Sequence, residues 1–289
     1  MILSLHSCVN TIFNTRGMWR TLNDIRPCYD DNHRPLYWAG SSAVVCKVLY
    51  DGRLCKLRCM RRRKRNSRAI YGDNYYPEEL LVVGFTKERI FADIIIEPWI
   101  EGVSLQSEVE CNLHNPDHLA TLAYEFDRLA IDLLDKEWAH GDLKPDNIIV
   151  DEKGMMHLTD FDAMYLPQFE HADEEEVGST SFQHPLRHKL FYKGIDDYPI
   201  ALISTVLHAL SFDVSLSERF PLCEEWLINP SNAIKGCDGA LDAIEALFES
   251  RFELIRLRIA KELRSTSPSL NHLRDLLAEG LKLAADKHR

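Results

Sequence analysis

Between His140 and Asp162 the chain gathers several carboxylates, an amide and a lysine within twenty-three residues. They stand as His140-Gly141-Asp142-Leu143-Lys144-Pro145-Asp146-Asn147 and then Thr159-Asp160-Phe161-Asp162. Side chains of these types suit phosphoryl transfer, where little covalent work is asked of the protein and the rate comes from positioning and charge neutralisation. The elements that must position them are short. Ile148-Ile149-Val150 and Met156-His157-Leu158 are apolar or β-favouring runs, split by the turn-like Asp151-Glu152-Lys153-Gly154. That pattern reads as strand, tight turn, strand, with polar residues at both mouths.

The segment resembles the catalytic loop and metal-binding loop of the protein-kinase-like superfamily. The resemblance implies that Asp142 orients the attacking hydroxyl and accepts its proton, and that Lys144 holds the γ-phosphate of ATP. It also implies that Asn147 and Asp160 ligate Mg²⁺, or Mn²⁺ in its place; an amide and a carboxylate are the hard oxygen donors such an ion takes. Two positions depart from the pattern. Gly141 stands where most regulated protein kinases carry the arginine that reads a phosphorylated activation loop. Asp162 replaces the glycine of Asp-Phe-Gly and gives up its freedom to take positive φ. Both variants occur in the aminoglycoside- and choline-kinase branch, where the second carboxylate helps to hold metal; Asp162 is then a third ligand. The plain alternative is a surface loop that happens to be polar, and a second motif at the right distance stands against it.

In the amino-terminal half, Trp38 to Val45 runs into Cys46-Lys47-Val48-Leu49-Tyr50, and Asp51-Gly52 is the strongest short hairpin signal in the chain. The return strand is Arg53 to Cys59. The resemblance makes Gly40, Ser41 and Ser42 the loop over the phosphates and Lys56 the contact to the α- and β-phosphates. An exposed strand lysine is the alternative for Lys56. Phe91 to Ile96 reads as a buried strand, followed by Glu97-Pro98-Trp99. It resembles the fifth strand and hinge of kinases, with Ile96 gatekeeper-like and adenine read by the backbone of Glu97 and Trp99; Pro98 has no N–H to offer. The acidic partner of Lys56 stays open among Asp73, Glu78 and Glu79, the last two lying close to a strand expected over about 80–86.

Arg58, Arg61, Arg62, Arg63, Lys64, Arg65 and Arg68 form the one strongly basic run. It fits a nucleic-acid or lipid contact, a solvated helix face, or attraction to Asp173-Glu174-Glu175-Glu176. The net charge of −11 weighs against nucleic acid. Gly178-Ser179-Thr180-Ser181-Phe182-Gln183-His184-Pro185 resembles the segment that presents a peptide in protein kinases, although Leu186-Arg187 replace the glutamate expected after the proline. Asp196, before the apolar run from Tyr198 to about Leu210, matches the aspartate that buttresses the catalytic loop. These residues resemble an atypical bacterial serine/threonine kinase group and imply a protein substrate.

The 289 residues suffice to bury roughly three quarters of the surface of the unfolded chain. The expected organisation is α+β and bilobal: an extension over 1–36, a small β-rich lobe over 37–98 and a larger, mainly helical lobe over 99–289. Ile2 to Phe13 is too short to span a membrane and lacks a secretory start, so the expectation is a cytoplasmic protein with no membrane partner. Asn115-Pro116 opens a helix whose apolar face is Leu119, Leu122, Phe126, Leu129 and Leu133. Leu241, Ile244, Leu247, Phe248, Phe252, Ile255 and Ile259 share helical spacing and read as core, and Ser267-Pro268 reads as the start of a last helix. The eight cysteines are scattered singly and read as reduced thiols; His184 and His188 lack further ligands for zinc. The reading is an ATP- and Mg²⁺-dependent phosphotransferase acting on serine or threonine of a protein. A small-molecule kinase and a pseudokinase scaffold are the alternatives, suggested by Gly141 and Asp162 and by the depleted glycine loop.

Overall fold

A computed structural model describes residues 3–13, 18–40, 42–84, 87–174, 178–187, 190–222 and 226–287. The chain forms two compact units, Met1–Ile100 and Glu101–Arg289. The first is rich in strands and the second in helices, so the α+β class holds.

The first unit begins with helix α1 (Leu5–Phe13), then β1 (Arg26–Pro27), β2 (Tyr37–Ala39), β3 (Ala43–Tyr50), β4 (Arg53–Met60), the five-residue α2 (Ser67–Tyr71), β5 (Tyr75–Val83) and β6 (Arg89–Pro98). The sheet is antiparallel in the order β1-β3-β4-β6-β5, and β2 pairs with β3 beside β1. Asp51 and Gly52 both take positive φ, as the hairpin signal requires. Alternation along β4 buries Cys55, Leu57 and Cys59 on one face. That face meets Leu3 just before α1, Cys8 and Ile12 of α1, and Leu22 and Ile25 after it. Described residues from the expected extension over 1–36, among them Leu3, Cys8, Ile12, Leu22 and Ile25, thus contribute to this unit's core. Their apolar positions are spread over a short helix and irregular chain, which leaves little periodicity to read.

The second unit contains β7 (Val103–Ser104), α3 (Leu105–Cys111), α4 (Pro116–Leu134), β8 (Ile148–Val150), β9 (Met156–Leu158), α5 (Asp197–Phe212), α6 (Leu216–Arg219), α7 (Pro230–Ile234), α8 (Gly239–Ser250), α9 (Leu254–Glu262) and α10 (Leu273–Lys287). Helix α5 is buried all round from Tyr198 to Leu210, the mark of a central helix. It packs on α4, whose Leu119, Leu122, Phe126 and Leu133 face the core as the spacing predicts. The Asn115 side chain accepts from His118 N–H at 3.1 Å and caps α4.

Two helix expectations fail. The run expected to continue through Phe252 breaks into α8 and α9, with Phe252 at φ 58 and 84% exposed. A residue in that conformation ends the helical phase, so the apolar spacing no longer points inward. The last helix starts at Leu273, not at Ser267, whose hydroxyl donates to the Ser269 carbonyl instead. No helix among the described residues is long and apolar enough to cross a membrane.

Candidate active site

The strand-turn-strand forms as read: β8 pairs with β9 through Ile148↔Leu158, and the Asp151 carboxylate accepts from Lys153 and Met155 N–H to close the turn. Its two mouths carry the candidate residues. Asp142 Oδ1 accepts from Ser179 N–H at 2.6 Å, and Oδ2 accepts from Asn147 Nδ2 at 3.1 Å. Lys144 Nζ lies 3.8 Å from the same Oδ2. Asn147 Nδ2 also donates to the Asp142 carbonyl at 2.8 Å, so the amide braces the loop and its carboxylate together. Because Nδ2 is committed, Oδ1 is the atom of Asn147 suited to a cation.

The second motif is held to the first through backbone. Thr159 N–H donates to the Asn147 carbonyl, and His140 Nε2 donates to the Thr159 carbonyl at 2.9 Å. That bond puts the ring proton on Nε2 and leaves Nδ1 to accept from Asp142 N–H at 3.4 Å. Asp160 takes left-handed backbone, φ 67 and ψ 63, and Phe161 then packs against His140 and Trp138. A left-handed aspartate is tolerated better than most residues, but the fold must hold it there. Asp162, beside it, is buried.

Asp196 anchors the loop from within the unit. Its two carboxylate oxygens accept from His140 N–H at 2.5 Å and Gly141 N–H at 2.9 Å. Burial pushes its carboxyl above the usual range, against the pull of His140 and of the two amides. Gly141 sits at φ +81, and a Cβ there would lie 1.9 Å from the Ala163 carbonyl oxygen. Glycine at this position is a packing demand of the loop, which explains the departure from arginine without reference to substrate. Gly178 is similar: a Cβ would lie 2.5 Å from Asp142 Oδ1, so glycine lets the segment approach the carboxylate.

In the first unit several expectations are corrected. Helix α2 carries no acidic residue. Lys56 pairs instead with Glu97, its cross-strand partner, at 2.9 Å. Glu79 is spent on Arg20, Thr21 and Leu22, and Glu78 on Arg20 and Arg63. Both lie within β5, at a bulge between Tyr76 and Leu80 that spacing alone does not register. Ile96 pairs with Leu57 and faces the α1 side, opposite Lys56, so it is not placed as a gatekeeper; Ile95, opposite Arg58, shares the Lys56 face. Trp99 N–H donates to the Leu54 carbonyl and Gly40 N–H to the Ala43 carbonyl, so neither amide is offered to a nucleotide. Glu97 lies inside β6, where its side chain rather than its backbone carries the contact. Ser42 accepts from Arg61 N–H through its carbonyl, and Ser41 lies outside the described residues. On the Lys56 face Trp38 stacks on Trp99 at 5.4 Å, with Lys47 4.7 Å from the Trp99 ring.

The basic run is engaged locally. Arg58 donates to the Tyr71 hydroxyl, Arg61 to the Leu3 carbonyl and Arg68 to the Gly72 carbonyl. Of the acidic run, Glu174 pairs with Arg187 at 2.7 Å, while Glu175 and Glu176 lie outside the described residues. His184 Nε2 donates to the Ser265 carbonyl, His188 lies outside the described residues, and all seven described cysteines are free thiols. Among the described residues no three or more His, Cys, Asp or Glu side chains form a metal-holding group. The Asn147 amide oxygen, Asp160 and Asp162 are still the donor chemistry that Mg²⁺ takes. The sequence reading missed the Lys56–Glu97 pair and the Glu174–Arg187 pair, both of which depend on register or loop path. No family model matches the chain, and no curated protein sequence matches it.

Proposed function

We propose that the protein is an ATP- and Mg²⁺-dependent phosphotransferase of protein-kinase-like fold, acting on a serine or threonine hydroxyl. The observation that carries this reading is the bracing of Asp142. Its carboxylate is held by the Asn147 amide and Ser179 N–H, on a loop whose His140 and Gly141 amides are fixed by buried Asp196. A carboxylate held in one orientation is what a base needs in order to meet an incoming hydroxyl. Each of its oxygens keeps a further lone pair for that hydroxyl.

In this reading Asp142 orients the acceptor and takes its proton, and Lys144 neutralises charge on the transferred group. Asn147 Oδ1, Asp160 and Asp162 would hold Mg²⁺, which supplies charge neutralisation at the phosphates when bound. Lys56 would contact the α- and β-phosphates once its pair with Glu97 opens. The strand order β2-β3-β4-β6-β5, with the hairpin first and the lysine strand central, supports the kinase-like reading of the first unit. A scaffold without catalysis is the second reading, favoured by the closed Lys56–Glu97 pair.

Purified wild type and Asp160→Asn, each given labelled ATP with a generic basic protein, a sugar panel and an amine panel, test the proposal. Transfer to protein by wild type alone is expected. Transfer only to a small molecule would move the acceptor class, and nucleotide binding without transfer would favour the scaffold.

A further inference from the structure

Gly141, the residue that precedes Asp142, is gripped on both sides, through the peptide before it and the peptide after it. Gly141 N–H donates to Asp196 Oδ1 at 2.9 Å, and the Gly141 carbonyl accepts from Arg187 Nη1 at 3.4 Å. That carbonyl belongs to the peptide plane that ends at the Asp142 nitrogen, so whatever fixes it sets the direction from which the Asp142 side chain leaves the backbone. Gly141 cannot fix it unaided. Glycine ranges over both halves of φ space, and its φ of +81 is held only by its surroundings.

Arg187 is itself held. Its Nη2 donates to Glu174 Oε1 at 2.7 Å, with side-chain exposures of 5% and 0%. A guanidinium is a rigid planar fork, so an anchor on one nitrogen aims the other. Arg187 follows the segment whose Ser179 N–H meets Asp142 Oδ1, and Glu174 precedes that segment. One buried ion pair therefore closes the two ends of the segment and reaches the catalytic loop. An ion pair serving stability alone would need no third contact, and hydrophobic groups of equal volume often serve as well.

We propose that Arg187 is a positioning residue: clamped by Glu174, its guanidinium fixes the Gly141 carbonyl and thereby the orientation of Asp142. The kinetic arm of this inference rests on the phosphotransfer reading; the exchange arm does not. The test uses the full chain carrying Arg187→Ala or Arg187→Lys, with turnover, KM for ATP and amide hydrogen exchange measured on each. Arg187→Ala should lower kcat by about tenfold to a hundredfold while KM for ATP stays within about twofold. Exchange should quicken over residues 138–146 and stay unchanged in α4 and α5, and Arg187→Lys should fall between the two proteins.

A folded Arg187→Ala protein with wild-type kcat, or with unaltered exchange over 138–146, would overturn the inference. If the alanine variant does not fold, the lysine variant is read by the same two criteria. If wild type transfers no phosphate to any acceptor, the phosphotransfer reading fails by itself and exchange over 138–146 alone decides for or against the clamp.

Discussion

Two buried carboxylates in the second unit, Asp127 and Asp196, differ in what they hold. Asp127 projects from α4 and takes Ser204 at 2.6 Å and His208 at 2.9 Å from α5, and Arg256 at 2.7 Å from α9. Burial pushes its carboxyl up, but His208, Arg256 and Ser204 outweigh that and hold it below the usual range. Its charge is matched inside the core by a guanidinium that is itself buried. Asp196 instead accepts two backbone amides from a loop, and burial leaves its carboxyl raised. One carboxylate fastens three helices to one another, while the other fastens a loop that bears the candidate base. Burial and full hydrogen bonding thus do not separate a structural carboxylate from a functional one; the identity of the fastened element does.

The comparison breaks most visibly at Asp127. Asp127→Asn leaves the Arg256 guanidinium buried without a counter-charge, so unfolding by denaturant should show a loss of about 3–5 kcal/mol. Transfer per folded molecule should stay close to wild type; a specific loss of turnover at full folding would show that Asp127 is not purely a fastening. Asp196→Asn should do the reverse. An asparagine offers one acceptor oxygen where two amides need one each, so about 1–3 kcal/mol is at stake. Turnover should fall by about fivefold to 150-fold on that arithmetic, with most of the protein still folded.

A pH titration sharpens the contrast at the neighbouring Asp197. Burial, with Asp196 adding to it, pushes this carboxyl up to about 7 while Leu270 N–H pulls it down. A raised carboxyl favours the protonated folded state, so its contribution is complete below the unfolded value near 4 and is lost as pH rises through about 7. Stability measured at constant ionic strength should therefore decline between about pH 4 and 7 and level off above that, and Asp197→Asn should flatten that decline. An unchanged slope in the variant would remove Asp197 as its source. The smallest effect is expected at Phe252, exposed on the turn between α8 and α9. Phe252→Ser should shift stability by no more than about 0.5 kcal/mol; a larger loss by thermal melting would return the residue to the core.

The strand-turn-strand beside Asp142 was legible because its signals are local. A turn closed by Asp151, strands of three residues and a polar motif at each mouth need only the neighbouring chain. The Asp196 anchor was legible through resemblance, and α4 through its spacing and its cap. The Lys56–Glu97 pair was not, because cross-strand partners are set by register, and a bulge in β5 moved Glu78 and Glu79 into other company. The contribution of Leu3, Cys8, Ile12, Leu22 and Ile25 was hidden for a related reason. Their apolar side chains reach one sheet face from a short helix and irregular chain, with no single period to reveal it. The clamp at Arg187 depends on the path of a loop, which no pattern of residue types encodes.

The central claim is that Asp142 is a base braced for phosphoryl transfer, and labelled γ-phosphate transfer by wild type beside Asp142→Asn tests it most directly. The account predicts Mg²⁺-dependent transfer by wild type, a fall of about 10²- to 10⁴-fold in the variant, and matching thermal unfolding of the two proteins. Equal transfer by both, or none by wild type with any acceptor, would contradict it.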